Sequence, residues 1–223
     1  MAIISKEKGD EEKIGIDMFN ATDNFDPVLF GRDPNRLGKY SREHTAFVKG
    51  ENIPKALKDN KVRSDIKEKK NVNVFKFREE GESKKAGKIS AETIRLDFSK
   101  LYYSTFTYDS AKKVYYKTHN AKPHMDSAAD KHLNYKNVFV LETDINLHKD
   151  NYLVKINWKG GTGYYISEGG AKKITWEKKD EASPIKIYDA NGKQVKVNTG
   201  NSYIGILPYN ATTIKGAAEA TTK

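Results

Sequence analysis

The residues best suited to chemistry are a histidine and a carboxylate in the segment Lys122-Pro-His-Met-Asp126. Pro123 has no backbone donor and favours an extended conformation for its predecessor, so His124 and Asp126 should project to one side of an extended chain. A carboxylate beside an imidazole can orient it for general-base or metal-ligand chemistry. The alternative is that both side chains hydrogen-bond to nearby backbone and pin a loop. In either case we expect both to be hydrogen-bonded and partly buried, with Asn137 as a partner of the loop.

A second polar cluster lies earlier in the chain and combines five residues: Arg32, Arg36, Tyr40, Arg42 and His44. Arginine and imidazolium groups bind carboxylates and phosphates through charge-assisted hydrogen bonds. If this cluster folds against His124, the two would line one anion- or phosphoester-binding cleft. Tyr116 and Asn137 complete the set of candidate ligand-binding residues. A solvated basic loop is the alternative interpretation.

The other histidines and the absence of cysteine do not indicate a metal centre. His119, His132 and His148 stand apart in polar surroundings and are expected at the surface. No histidine pair has the helical spacing of a metal site, and the chain has no Cys to supply a thiolate. We therefore predict no metal and no cofactor.

The glycine-rich segment and the two tryptophans have ordinary structural interpretations. Gly160–Gly163 is not followed by the Lys-Ser/Thr pair and helix of a phosphate loop, so it predicts a turn. Trp158 and Trp176 lie in alternating strands and are expected in the core. If either is exposed beside Tyr164 and Tyr165, it would form a stacking platform for sugar rings.

The charge of the chain limits the choice of partners only weakly. Its 223 residues include 40 Lys plus Arg against 30 Asp plus Glu, a formal net charge of +10. The excess is mostly lysine intermixed with acids, which is typical of a solvated surface and compatible with attraction to anionic lipid, teichoic-type polymer or nucleic acid. Because the chain has no nucleic-acid-binding motif, nucleic acid is the weakest of these partners. No apolar run approaches the roughly 20 residues of a membrane helix.

The elements that must position these residues are mostly strands. A helix is predicted over Ile53–Lys70, with Pro54 in its first turn, after a loop over Gly31–Gly50. Period-two alternation then predicts strands near residues 72–77, 89–98, 102–108, 112–118, 152–158, 164–166, 172–178, 184–188, 193–197 and 202–208, and the compact apolar run over 137–143 predicts one more. The Asn-Gly pair before Lys193 indicates a hairpin turn. The Ala- and Thr-rich tail over 210–223 is predicted to be disordered.

Several motifs together resemble a known family. These motifs are Phe106-Thr-Tyr-Asp, Lys-Pro-His124-Met-Asp126, Lys-Asn137-Val-Phe-Val, Thr175-Trp176 and Tyr188-Asp-x-Asn-Gly192. Their order over residues 25–208 is similar to that of the YerB-like family, inferred envelope lipoproteins of Gram-positive bacteria built on a domain of unknown function. The sequence departs from the family pattern at three positions, with Glu43 in place of Pro, Thr45 in place of Asn and Lys117 in place of Arg.

The resemblance implies a fold and a location. The implied fold is α/β (α+β), a layered β-β-α sandwich whose carboxy-terminal half is nearly all antiparallel β. It implies a flexible or partial segment over 1–24, a single domain over 25–209 (helix-containing over 25–100, β-rich over 101–209) and a tail over 210–223. It also implies an extracytoplasmic location, with membrane attachment only through a lipid anchor that this sequence does not contain.

Three functions remain open at this point. The first is a non-catalytic cell-envelope domain that binds a cell-wall polymer, another anionic polymer or an envelope protein. The second is an envelope hydrolase in which His124, oriented by Asp126, acts as general base while Arg32 and Arg42 stabilise anionic charge. The third is an intracellular nucleic-acid binder, which rests on charge alone. The hydrolase requires His44, His124 and Asp126 to share one cleft.

Overall fold

The computed structural model describes residues 30–59, 75–149, 154–180 and 183–216. The chain divides into two compact units, Met1–Asn71 and Val72–Lys223, and each is described by itself. The end of the predicted helix over 60–70, the predicted strand start over 71–74 and the end of the tail over 217–223 lie outside the described residues. No helix in the described ranges is long and apolar enough to cross a membrane.

Strands dominate the described ranges. In chain order they are β1 (Phe30–Arg32), β2 (Ala46–Val48), β3 (Lys76–Phe77), β4 (Ile89–Ser90), β5 (Thr93–Asp97), β6 (Tyr103–Asp109), β7 (Val114–His119), β8 (Lys122–Pro123), β9 (Met125–Asp126), β10 (Lys131–His132), β11 (Asn134–Tyr135), β12 (Asn137–Thr143), β13 (Ile145–Leu147), β14 (Val154–Ile156), β15 (Gly160–Ser167), β16 (Gly170–Glu177), β17 (Lys186–Tyr188), β18 (Lys196–Val197), β19 (Ser202–Pro208) and β20 (Thr212–Lys215). The α-helix is α1 (Ile53–Asp59), and 3₁₀ turns span Arg42–Thr45 and Gly50–Asn52.

The first unit contains a small hairpin and α1. β1 and β2 pair antiparallel, so the predicted loop over Gly31–Gly50 is wrong at both ends, where its residues form the hairpin. Thr45 is buried, and its hydroxyl donates to the Arg42 carbonyl oxygen at 2.7 Å, which holds the turn between the strands. The helix begins at Ile53 as predicted and places Ala56 in the interior of the unit.

The second unit is built on two sheets packed face to face. The front sheet has the order β11-β7-β6-β5-β20, with β8 beside β7, and the back sheet has the order β17-β16-β15-β12-β19, with β4 beside β16. Alternation along the strands directs Leu96 and Phe106 of the front sheet toward Val138 and Val140 of the back sheet, where all four are fully buried. The predicted β-rich α+β class is confirmed.

The back sheet is covered on both faces. A second buried cluster that includes Phe139, Leu141 and Trp176 lies on the side away from the front sheet. β12 is therefore a near-continuous apolar run rather than an alternating one. Its pairing with β19 is parallel, an exception to the predicted antiparallel arrangement. Trp176 is in the core as predicted, whereas Trp158 is 47% exposed, contrary to prediction.

The glycine-rich segment forms a strand rather than the predicted turn. Gly160 begins β15, and a Cβ atom on Gly161 would lie 1.9 Å from the Glu142 carbonyl oxygen. Glycine is needed because the backbones of β12 and β15 approach too closely for a side chain. The glycines of Gly160–Gly163, which suggested a turn, therefore indicate close packing of two strands.

Two further strand predictions need correction. The predicted strand over 89–98 divides into β4, which pairs with the back sheet, and β5, which belongs to the front sheet. Residues 212–215, predicted to be disordered, form β20 and pair antiparallel with β5. Ile214 pairs with Ile94 and packs against the core, which provides the apolar contact that the composition of the tail did not suggest.

The substitution Gly161→Ala should lower the free energy of unfolding by about 3 kcal/mol or more, because the methyl group would meet fixed backbone. Urea denaturation followed by circular dichroism measures the loss. Gly192→Ala is the matched control: φ is +71° but nothing lies within 4 Å of the added atom, so only about 1–2 kcal/mol of backbone strain is expected. Equal losses in the two variants would contradict the close-packing explanation.

Candidate functional site

The predicted motif residue His124 lies between β8 and β9, beside the inward face of β7. The β7–β8 turn contains Asn120 and Ala121 with φ of 45° and 64°, which reverses the chain tightly. The His124 amide then donates to the Lys117 carbonyl oxygen at 3.0 Å, and the Leu133 amide donates to the His124 carbonyl oxygen at 2.9 Å. The backbone thus fixes His124 next to Lys117.

The central interaction of the site joins Lys117 and His124. Lys117 is 4% exposed, and its Nζ lies 2.7 Å from His124 Nδ1. An ammonium group can only donate, so Nδ1 accepts and the neutral ring carries its hydrogen on Nε2. Burial lowers the pKa of Lys117. Loss of part of its hydration, followed by the nearby positive charge of Lys117, lowers the pKa of the otherwise exposed His124 ring.

The charge of Lys117 has no carboxylate partner among the described residues. Lys136 provides a contrast within the same unit, since its Nζ lies 2.7 Å from a Glu168 carboxylate oxygen. Lys117 also makes a cation–π contact with the Tyr203 ring, whose centroid is 5.7 Å from Nζ. A buried ammonium normally needs compensation, so this one is an unbalanced positive charge at the end of the space between the sheets.

Two more histidines complete what we call the Lys117 cluster: Lys117, His119, His124, His132 and Tyr203. The His119 and His124 ring centroids are 6.0 Å apart, and His132 Nε2 donates to the Lys117 carbonyl oxygen at 2.6 Å. The prediction that His119 and His132 stand apart is therefore wrong. The available signal was that residues 117 and 119 share one face of a strand. Among the described residues, no three or more His, Cys, Asp or Glu side chains converge closely enough to hold a metal ion, the three histidines of this cluster included.

Asp126 does not orient His124. Its Oδ1 accepts hydrogen bonds from the Ala128 and Ala129 amides at 2.9 and 3.2 Å and closes a local turn. The prediction that His124 and Asp126 are hydrogen-bonded is confirmed, but the prediction of partial burial is wrong because both are exposed. The short Asp side chain hydrogen-bonds to the backbone amides two and three residues later, which are closer to it than the His124 ring.

Asn137 is a structural residue of the core rather than a partner of the His124 loop. It is fully buried, its Nδ2 donates to the Asn198 carbonyl oxygen at 2.9 Å, and its Oδ1 accepts from the Tyr165 hydroxyl at 3.0 Å. The Tyr165 oxygen in turn accepts from the Asn198 amide at 2.9 Å. These bonds connect the start of β12 to the segment before β19. The prediction that Asn137 is a partner of the His124 loop is therefore wrong.

Tyr116 borders the Lys117 cluster. Its ring centroid is 4.9 Å from that of His132, and its hydroxyl oxygen accepts from Lys112 Nζ at 2.8 Å. It is half-buried and adds a further hydrogen-bonding group near the histidines.

The second candidate cluster lies on the hairpin of the first unit. Arg32 donates to the Arg42 carbonyl oxygen at 2.7 Å, Arg36 pairs with Asp33 at 3.4 Å, and Tyr40 is 61% exposed. His44 is also exposed. These residues belong to one unit and His124 to the other, so a shared cleft stays a prediction.

Comparison with known proteins identifies the part of the chain that holds the Lys117 cluster. Residues 94–204 match the family model described as "Protein of unknown function (DUF3048) C-terminal domain". The chain contains a DUF3048 C-terminal domain. All five residues of the Lys117 cluster lie within it. No curated protein matches the sequence.

A solved structure shares the fold. It is the crystal structure of the YerB protein from Bacillus subtilis, with a TM-score of 0.69 and 18% sequence identity over 86% of this chain. The match covers 61% of that protein's chain. The resemblance to the YerB-like family is confirmed.

The substitution His124→Ala should lower the free energy of unfolding by about 1–3 kcal/mol, because the Lys117 ammonium loses its acceptor while it stays buried. In a Lys117→Met background the same substitution should cost little. Urea denaturation of the four proteins of this double-mutant cycle gives the coupling between the two residues. A coupling of zero would show that the 2.7 Å contact contributes nothing to stability.

The lowered pKa of His124 also predicts a dependence of stability on pH. Because the folded state holds the ring neutral below its usual pKa of 6.5, the unfolded chain binds more protons just below that pH. The free energy of unfolding should therefore fall as the pH falls from 6.5 toward the folded pKa. Melting temperatures of the parent and His124→Gln across pH 5–8 test this, and parallel curves would contradict it.

Proposed function

We propose that the DUF3048 C-terminal domain is a non-catalytic binding module of the cell envelope that takes the phosphate or carboxylate group of an anionic polymer at the Lys117 cluster. The observation that carries the proposal is the 4% exposed Lys117 ammonium without a carboxylate partner in the described residues. An anionic ligand would supply the missing negative charge.

The hydrogen-bonding pattern of the cluster favours an anion. His124 Nδ1 is occupied by Lys117, so the exposed ring offers an Nε2–H donor. His119 is exposed beside it, at a ring-centroid distance of 6.0 Å. Hydrogen-bond donors arranged around a poorly solvated positive charge form charge-assisted hydrogen bonds to phosphate and carboxylate oxygens. Such bonds are stronger than the hydrogen bonds that water makes to the same oxygens. The net charge of +10 would also draw polyanions toward the surface.

The geometry argues against the hydrolase alternative. A general base needs a free nitrogen lone pair, and in the described arrangement the Nδ1 lone pair accepts from Lys117 while Nε2 carries the hydrogen. Asp126, the proposed orienting carboxylate, instead bonds to the Ala128 and Ala129 amides. His124 is thus arranged to donate a hydrogen bond.

The envelope location is part of the proposal. The resemblance to YerB-like proteins supports it, as does the absence of cysteine, which is compatible with export. Of the anionic polymers, a phosphate-containing cell-wall polymer fits better than nucleic acid, because the cluster is compact and the chain has no nucleic-acid-binding motif.

Binding of a glycerol-phosphate polymer to the full chain should depend on the Lys117 cluster. Isothermal titration calorimetry is expected to show affinity that falls with added salt and that drops at least tenfold in Lys117→Met and in His124→Gln. Lys193→Met, at an exposed turn, is the matched control for loss of one positive charge.

Two outcomes would overturn the proposal. One is no binding of the polymer, of poly-glutamate or of isolated peptidoglycan at low salt. The other is an equal loss of affinity in Lys193→Met, which would show that overall charge acts rather than the cluster. Near-parental melting temperatures of the variants would confirm that any loss does not come from unfolding.

A further inference from the structure

The hairpin of β13 and β14 has an apolar face that no other described strand covers. Its register pairs Ile145 with Ile156 and Leu147 with Val154, so these four side chains share one face. Leu147 is 62% exposed and Val154 is 57% exposed. In the described ranges the two strands form a sheet of their own, without a third strand.

A tryptophan lies at the base of this hairpin. Trp158 is 47% exposed and follows Val154 by four residues, a span of at most about 13 Å. The base is held in place because the Asn157 amide donates to the Asp144 carbonyl oxygen at 3.0 Å and Thr143 Oγ1 lies 2.9 Å from the Asn157 carbonyl oxygen.

Lysines surround Trp158. It lines a surface depression together with Lys159, Lys178, Lys179 and Asp180. Lys186 borders the adjoining depression, which is also lined by Lys159, Glu177, Lys178 and Lys179. A hairpin with an exposed apolar face whose second strand leads into a tryptophan bordered by ammonium groups is an unusual surface for a polar, highly charged chain.

We propose that the hairpin face and Trp158 dock on the surface of an anionic lipid bilayer. A bilayer offers both kinds of complement at once: acyl chains for Leu147 and Val154, and negatively charged headgroups for the lysines. Tryptophan is favoured at the boundary between them. Interfacial elements insert about 5–10 Å, and the two residue steps of β14 extend about 7 Å along the strand, which lies within that depth.

Both the positive charge and the apolar area of this surface favour an anionic lipid bilayer over other partners. A water-soluble polyanion would satisfy the lysines but would leave Leu147 and Val154 in water. A neutral apolar partner would provide no negative charge for Lys159 and Lys179, which line the depression beside Trp158. The surface is separate from the Lys117 cluster and extends the proposed function, since a domain that binds envelope polymers would also be held at the membrane.

The test is cosedimentation of the full chain with vesicles of phosphatidylglycerol and phosphatidylcholine, compared with phosphatidylcholine alone. The fluorescence of Trp158 provides a second readout, because the sequence has two tryptophans and Trp176 is 2% exposed. Binding to the anionic vesicles only, with a blue shift and with quenching by brominated acyl chains, is expected.

Variants separate the apolar from the electrostatic contribution. Leu147→Ser combined with Val154→Ser should weaken partitioning at least tenfold, and Lys159→Gln or Lys179→Gln about fivefold each. Leu101→Ser, at a residue that is 75% exposed in the same unit, and Lys193→Gln are the matched controls and should leave binding unchanged.

The proposal would be overturned by no sedimentation with anionic vesicles, by equal loss in the control variants, or by vesicle binding without a change in Trp158 fluorescence. A dimer that dissociates on Leu147→Ser without vesicle binding would also overturn it, because the face would then join two copies. If the Lys117→Met variant no longer binds vesicles, the Lys117 cluster rather than the hairpin binds them, and the proposal is overturned. If the variant still binds vesicles, the result supports a separate membrane-binding surface.

Discussion

The rest of the second unit depends on one strand that is buried on both faces. β12 has β15 and β19 as hydrogen-bonding neighbours, Val138 and Val140 toward the front sheet, and Phe139 and Leu141 toward the second cluster. Its neighbours satisfy its backbone hydrogen bonds, and because both of its faces carry apolar side chains, both faces must be covered by other elements. Covering the first face fixes the front sheet, and with it the position of β7.

The position of β7 determines the chemistry of the candidate site. Lys117 shares the inward face of this strand with Tyr115, a core residue, but lies near the end of the sandwich, where the His124 loop replaces further sheet. The ammonium group is therefore shielded from water by the same packing that stabilises the fold. Its energy depends on what approaches from the solvent side, so the anion binding that we propose would also stabilise the fold.

Much of the fold could be predicted from period-two alternation, because residues such as Ile94, Leu96 and Phe106 are apolar where a strand faces a core, and from the continuous apolar run of β12. The site was predictable only in part. Short pairings such as β8 with β7 and β9 with β10 have two residues each and leave no periodic signal, so the approach of His132 to Lys117 depends on tertiary structure. Asp126 was misassigned because its local amides compete more effectively than a ring two residues away.

The parallel pairing of β12 with β19 has a consequence for how the chain folds. Asn137 bonds to Ser202 across 65 residues, and β20 returns later still to pair with β5. Such distant pairings are slow to form, because closing the intervening chain into a loop costs conformational entropy before the strand contacts can offset that cost. During synthesis the apolar run of β12 therefore emerges from the ribosome well before its partner strand exists. Until then the chain keeps this run exposed, and its core closes only after the strands near residue 208 have been made.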